Sequence, residues 1–209
     1  DYMLNGLYVL TDSRIHGHSQ WPARVEAIIQ GGATTIQLRE KQLADETLLP
    51  LALEIHEVCQ SYHVPLIIND RIQLAKKICA DGVHIGKSDD ALRKVREYLG
   101  HEYYIGVSCY RSIYTAIRAQ QLGADYVAFG RLFPSHTKHD ACGCPLSIIQ
   151  SAHRYLDIPI CGIGGITPNN AARVARAGAS IIAVANTIFN ADDPGAFSRQ
   201  MSGIIRSNQ

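Results

Sequence analysis

Two basic side chains alternate along one short run, where Gln37-Leu38-Arg39-Glu40-Lys41 follows Thr35 and Ile36. In an extended strand successive side chains point to opposite faces. Thr35, Gln37 and Arg39 therefore share one face and Ile36 and Leu38 the other, and Lys41 keeps the parity if extension persists. A guanidinium aimed into a protein interior needs an anion. Glu40 would serve from within the chain. A phosphate-bearing ligand is the sharper choice, because Arg donates in a planar fork and Lys adds a point charge. Asp70 and Asp89 each come just after another apolar run. They could be ion-pair partners, helix caps or holders of Mg²⁺, which takes oxygen ligands and keeps waters and substrate phosphates in its shell. Gly164-Gly165 ahead of Thr167-Pro168-Asn169 allows either a nest of backbone N–H groups that binds phosphate or a tight turn with a Thr cap. With Lys138 reaching the first group, these residues outline two anionic subsites. Two phosphorylated substrates joined between them would explain both, and so would one sugar bisphosphate.

The elements that must position these residues repeat along the chain. Short apolar runs occur at Leu7–Leu10, Thr35–Leu38, Leu66–Ile68, Gly82–Ile85, Tyr104–Val107, Tyr126–Phe129, Ile160–Ile163 and Ile181–Val184. Between them the apolar residues step by three and four, as in Leu48, Leu51, Ile55 and Val58 or Leu92, Val95 and Leu99. Gly31-Gly32-Ala33, Ala80-Asp81-Gly82, Gly123-Ala124-Asp125 and Gly178-Ala179-Ser180 punctuate the passage from helix to strand. Buried strands alternating with helices imply a parallel sheet covered by helices. Eight such units over residues 1–209 predict a compact (β/α)8 TIM barrel in one domain, smaller than the usual size of about 250 residues. The rival is an open doubly wound sheet, but no Gly-x-Gly-x-x-Gly follows the first run to support a nucleotide-binding version.

Polar residues collect at one end of the runs: Thr11-Asp12, Asn69-Asp70, His84, Ser108, Arg131 with Ser135-His136-Thr137-Lys138, and Asn186. In a barrel the active site forms at the C-terminal ends of the strands. Composition removes other classes. Twenty basic against nineteen acidic side chains leave a net charge of +1, which gives no general case for nucleic-acid binding. The six cysteines do not make a disulfide scaffold. Cys59 and Cys79 fall in helical patterns and Cys109 and Cys161 at strand ends, and all four read as buried free thiols. Cys142 and Cys144 are too few for a structural zinc site. With no secretory leader and no apolar stretch of about 18 residues, the expectation is a cytoplasmic protein without a membrane partner. A homo-oligomer stays open.

The motifs together resemble the thiamine phosphate synthase family. The matching stretches are Tyr8–Asp12 (YVLTD), Gln37–Lys41 (QLREK), Ile67–Arg71 (IINDR), Ala80–Gly86 (ADGVHIG) with Asp89, Gly106–Ser108, Gly123–Gly130 (GADYVAFG), Thr137-Lys138 and Gly162–Thr167 (GIGGIT). The resemblance implies joining of an aminopyrimidine methyl pyrophosphate to a thiazole phosphate, with release of pyrophosphate and with Mg²⁺ as cofactor. It places Gln37 and Ser108 near the pyrimidine and Arg39, Lys41, Asn69 and Lys138 around the pyrophosphate. Asp70 and Asp89 match the Mg²⁺ ligands. Ser135, Thr137 and the Gly165 backbone match the thiazole phosphate site, with Asn186 where a Ser is usual.

Some positions depart from the pattern. Lys87-Ser88-Asp89 stands where Gln-Glu-Asp is common, and Ser135 replaces a Thr. The nearest rival function is the thiazole tautomerase sibling, which carries a catalytic His where this chain has Arg131. A sugar-phosphate lyase or isomerase using Lys138, and a non-catalytic phosphate-ligand sensor, are the others. His84, at the end of a buried run, is expected to be a satisfied supporting group and not an acid or base. His136 would help hold phosphate.

Overall fold

Alternation with period 2 gives every strand of this chain one face toward the helices and one toward its own axis. The structure, a computed structural model, describes residues 4–12, 17–134 and 143–209. Eight parallel strands close into a barrel: β1 (Gly6–Leu10), β2 (Thr35–Leu38), β3 (Leu66–Asn69), β4 (Gly82–Ile85), β5 (Tyr104–Tyr110), β6 (Tyr126–Phe129), β7 (Ile160–Ile163) and β8 (Ile181–Val184). Each pairs with the next in sequence, and β8 closes on β1 through Gly6 opposite Ile181 and Tyr8 opposite Ala183. The expected (β/α)8 fold is what the chain adopts, and the open-sheet alternative is excluded by this closure.

The covering helices are α1 (Trp21–Gln30), α2 (Asp45–Ser61), α3 (Ile72–Lys77), α4 (Asp89–Leu99), α5 (Ile113–Gln121), α6 (Leu146–Ala152), α7 (Ala171–Ala177), α8 (Asn186–Phe189) and α9 (Pro194–Arg206). The four-residue α8 carries too little sequence to display a helical period and was not expected. The outward residues of the strands, such as Val9, Ile36, Leu38, Ile68, Val83 and Val107, are buried against helix residues such as Ile28, Leu48, Ile55 and Leu92. Each such side chain stabilises the fold by roughly 1.5–3 kcal/mol.

The inward residues form a separate cluster containing Tyr8, Leu10, Ile67, Tyr126, Ala128, Cys161, Ile181 and Ala183. Two tyrosines fit inside a narrow barrel because a neighbouring position has no side chain. A Cβ on Gly106 would stand 2.0 Å from Tyr126 Cζ. The aromatic ring therefore occupies the space that a larger β5 residue would fill.

Local details correct several expectations. Cys79 is exposed, because α3 ends at Lys77 and Cys79 takes a left-handed turn with φ 53°. Cys59, Cys109 and Cys161 are buried and free as expected, and Cys144 joins them. Cys142 lies outside the described residues. Asp70 does not cap α3, whose cap residue Arg71 makes no side-chain capping bond. Asp90 does not cap α4 either. That cap is Ser88, whose Oγ accepts from Ala91 N–H at 3.3 Å. The serine that departs from the family pattern thus starts the helix, and Asp89 sits in its first turn, where the helix dipole favours a carboxylate. At α7 the cap position is Asn170 and not Thr167. Among the described residues no helix is long and apolar enough to cross a membrane.

Candidate active site

The inward face of the strands opens at its C-terminal end into a cavity of about 170 Å³. Its wall has two halves. Gln37, Arg39, Asn69, His84 and Ser108, from β2 to β5 and the turn after β2, supply polar atoms. Leu10, Ala128, Cys161, Ile163 and Ala183, from β1 and β6 to β8, supply an apolar surface on which a flat ring can lie. Small residues at Ala128 and Ala183 leave the room. The parity argument for β2 holds here, since Gln37 and Arg39 line the cavity while Ile36 and Leu38 pack outward.

The backbone at Arg39 is fixed on both sides by Thr11, whose Oγ1 donates to Arg39 C=O at 3.0 Å and accepts from Arg39 N–H at 2.9 Å. Glu40 does not neutralise Arg39. Its carboxylate is buried and accepts from the Gln42 and Leu43 N–H groups at 3.0 and 2.6 Å, and it pairs with Arg71 at 3.3 Å. Arg71 also donates to Glu40 C=O and Leu43 C=O, both at 2.6 Å, and to Asp45 at 2.6 Å. This clamp holds the loop that bears Arg39 and Lys41. Among the described residues no carboxylate pairs with the exposed Arg39 guanidinium, which leaves it available to an external anion.

Lys41 and Asp70 form an ion pair at the rim, each about half exposed. Asp70 adopts φ 59° and donates its N–H to His84 C=O at 3.0 Å, so a strained turn carries the carboxylate away from β3. Asp89 pairs instead with Arg118 on α5, at 3.4 Å. Among the described residues no group of three or more His, Cys, Asp or Glu side chains gathers as a metal site. The donor chemistry fits Mg²⁺ nonetheless. That ion is usually held by one or two carboxylates and completes its shell with water and substrate phosphate. Both aspartates are partly exposed oxygen donors, paired among the described residues with cations that a divalent ion can replace.

The second subsite rests on backbone. Gly164 and Gly165 follow β7 with φ 103° and 66°. A Cβ on Gly165 would stand 2.6 Å from Phe133 C=O, so glycine is needed for the close approach of the segment that follows β6. Asn170 holds the turn by donating to Gly165 C=O at 3.0 Å and accepting from Thr167 N–H at 2.8 Å. The short α8 begins at Asn186, after β8, which is where barrels commonly place an extra helix for phosphate. Asn186 is exposed, and its Oδ1 accepts from Asn190 at 2.8 Å. Ser135, His136, Thr137 and Lys138 lie outside the described residues. The ends of their loop are tied by Cys144 N–H donating to Arg131 C=O at 2.8 Å.

A family model described as thiamine monophosphate synthase matches residues 7–188. The chain belongs to the thiamine monophosphate synthase family. A thiamine-phosphate synthase of Nitrosococcus oceani is 42% identical over 190 residues, 91% of this chain and 88% of that protein. One from Clostridium acetobutylicum is 39% identical over 97% of this chain and 95% of its own length. Among solved structures, the thiamine phosphate pyrophosphorylase from Pyrococcus furiosus superposes with a TM-score of 0.87 at 29% identity, covering 97% of this chain and 96% of that one. A 3-hexulose-6-phosphate synthase superposes at 0.69 with 17% identity, over 96% and 99% of the two chains, and shows the shared barrel alone.

Three residues that line or support this cavity were missed or left without a role by the sequence reading. Tyr8 and Tyr126 face each other inside the barrel, with their hydroxyls 2.7 Å apart. Their signal was parity, since both lie on the inward registers of β1 and β6. Arg71 was visible only as part of a motif. His84 is the satisfied group expected: Nδ1 meets Tyr126 Oη at 2.8 Å and Nε2 meets Ser108 Oγ at 2.7 Å. Its ring is partly exposed to the cavity, while both of its nitrogens are taken up by protein partners. Burial lowers its pKa from 6.5 to about 4, with Asp70 opposing the shift and Lys41 adding to it.

Proposed function

We propose that this chain condenses 4-amino-5-hydroxymethyl-2-methylpyrimidine pyrophosphate with 4-methyl-5-(2-hydroxyethyl)thiazole phosphate, giving thiamine phosphate and pyrophosphate. The observation that carries the reading is the Arg39 guanidinium, without a carboxylate partner among the described residues, at the mouth of a half-polar, half-apolar cavity, beside the Lys41–Asp70 pair. A planar heterocycle bearing a pyrophosphate matches that arrangement. Relatives of this similarity that are named thiamine-phosphate synthases support it.

In this reading Gln37 and Ser108 orient the pyrimidine on the apolar wall. Its amino group donates electrons into the ring as the methylene–oxygen bond breaks, and the bonding pair leaves with the pyrophosphate. The thiazole nitrogen captures the carbocation-like methylene. Arg39 and Lys41, with Asn69 and Lys138, meet the charge that grows on the leaving oxygens. Asp70 and Asp89 would hold Mg²⁺, which when bound adds positive charge beside the pyrophosphate. The Gly165 backbone, Asn186 and the hydroxyls of Ser135 and Thr137 would receive the thiazole phosphate. The barrel as a whole is the proposed functional unit.

The test supplies both substrates with Mg²⁺ and follows pyrophosphate and thiamine phosphate together. Equal formation of the two is expected. No product above the uncatalysed background would refute the condensation, and thiazole isomerisation in the same reaction would replace it with the tautomerase reading. A substrate-dependent borohydride adduct on Lys138 would favour a lyase instead.

A further inference from the structure

Six side chains from six different strands form one continuous line of hydrogen bonds across the barrel. Asn69 Nδ2 donates to Gln37 Oε1 at 2.9 Å, and Gln37 Nε2 donates to Tyr8 Oη at 2.8 Å. The line continues from Tyr8 to Tyr126 at 2.7 Å, to His84 Nδ1 at 2.8 Å and from His84 Nε2 to Ser108 Oγ at 2.7 Å. All but Tyr126 line the cavity.

A hydroxyl has one proton, so the direction of one bond dictates the next. Tyr8 accepts from Gln37, and its own proton goes to Tyr126. The Tyr126 proton then goes to His84 Nδ1. A neutral imidazole accepting at Nδ1 carries its proton on Nε2, and that proton goes to Ser108 Oγ. Ser108 is left with its hydroxyl proton free for the cavity.

With the amides as they stand, the reverse direction would make Tyr8 Oη accept from both Gln37 and Tyr126 and leave its own buried hydroxyl proton without an acceptor among the described residues. Giving that proton an acceptor requires both amides to be turned over. Gln37 Nε2 would then donate to Asn69 Oδ1. The Asn69 NH2 group would occupy the buried place where Oδ1 now has no partner among the described residues. An orphaned buried N–H is a rarer defect than an under-used oxygen, which favours the first direction.

We infer that His84 is a positioning residue, locked by Tyr8 and Tyr126 as the Nε2–H tautomer, which makes Ser108 a hydrogen-bond donor to an acceptor atom of the ring in the cavity. The inference rests on the condensation reading only for the identity of that ring. A histidine in this place does no proton transfer. It reports the orientation of Gln37, on the far side of the barrel, to Ser108. The two ends of the line are thereby matched to one orientation of an asymmetric heterocycle.

Two measurements test this. Long-range ¹H–¹⁵N spectra of the substrate-free protein read the tautomer directly, with the His84 signals assigned by their loss in His84→Gln. The Nε2–H pattern is expected, and an Nδ1–H pattern would overturn the inference even if the protein proved inactive. The second measurement compares variants in the condensation assay. The amide of His84→Gln reaches the Nε2 position and can donate to Ser108, whereas that of His84→Asn ends near Nδ1. His84→Gln should keep KM for the aminopyrimidine within about threefold of wild type. His84→Asn and Tyr126→Phe should raise it by about tenfold, the scale of one lost hydrogen bond, with KM for the thiazole phosphate unchanged. Equal losses in the Gln and Asn variants, or equal changes in both KM values, would reduce His84 to a packing residue. A wild-type protein without condensation activity would refute the proposed function, and the tautomer measurement would still decide the role of His84.

Discussion

At the scale of single residues, the rim of the cavity is built from charges that hold one another until a ligand arrives. Lys41 and Asp70 are paired and about half exposed. A pair of that kind contributes on the order of 0–1 kcal/mol to stability. Its two members have separate tasks in the proposed reaction, one toward phosphate and one toward Mg²⁺. Asp70→Asn is therefore expected to leave the fold almost untouched, with a melting temperature within roughly 4 °C of wild type. Half-saturating Mg²⁺ for turnover should rise by at least about tenfold, because a charged oxygen ligand becomes a neutral one. A thermal melt and a Mg²⁺ titration of the initial rate check both halves. Unchanged Mg²⁺ dependence would leave Asp70 as the lysine's ion-pair partner and nothing more. The aspartate is also a case of what local sequence does not disclose. Asp after a strand suggests a helix cap, yet its φ of 59° turns it away from that role.

At the scale of elements, the strands were legible because each is a short apolar run bounded by turn residues. The run Thr35–Leu38 is β2, and Gly82–Ile85 is β4. β5 runs on to Tyr110, past the expected Val107, because polar Ser108 and exposed Tyr110 belong to the strand without extending its apolar pattern. The inward direction of Gln37 and Arg39 was legible from parity alone. The support beneath them was not, because it joins residues far apart in sequence. Arg71 touches Glu40, Leu43 and Asp45, which lie 31, 28 and 26 positions away. The structure makes this clamp the device that shapes the loop after β2. The Glu40 carboxylate is fully buried, so removing its cation leaves an uncompensated charge, a loss of about 3–5 kcal/mol. Arg71→Met should lower the melting temperature by roughly 6–20 °C and weaken pyrophosphate binding together with it. Glu40→Gln should be milder, since Arg71 keeps Asp45 and two carbonyl acceptors. Calorimetry and product inhibition by pyrophosphate on the two variants check the order, and a harsher Glu40→Gln would contradict the clamp.

At the scale of the whole molecule, the two buried layers, one inside the barrel and one between its strands and helices, disfavour unpaired charge, and this governs both its thiols and its response to acid. Burial pushes the thiols of Cys59 and Cys109 up to about 12, raises Cys161 further, and raises Cys144 as well. Cys79 alone among the described cysteines is exposed. In a Cys142→Ser variant, one thiol is expected to react rapidly with a disulfide reagent in the native state, and the remainder only on unfolding. Two or more fast thiols would show that the barrel opens more readily than its packing suggests. Inside the barrel, desolvation likewise keeps His84 neutral. Its pKa is about 4 in the folded chain, against an ordinary value of 6.5 when unfolded. Between those values the unfolded state binds the extra proton, so stability rises with pH across the window. The contribution is fully present above about pH 6.5 and is lost as the pH falls toward 4, by about 3 kcal/mol in all. His84→Gln cannot take up the proton in either state. Urea unfolding of the two proteins at a series of pH values between 7 and 4 isolates this one group. The wild type should lose about 3 kcal/mol more than the variant over that range. Parallel pH profiles would mean that the imidazole is protonated as easily inside the barrel as outside it, with its line of hydroxyl partners broken in solution.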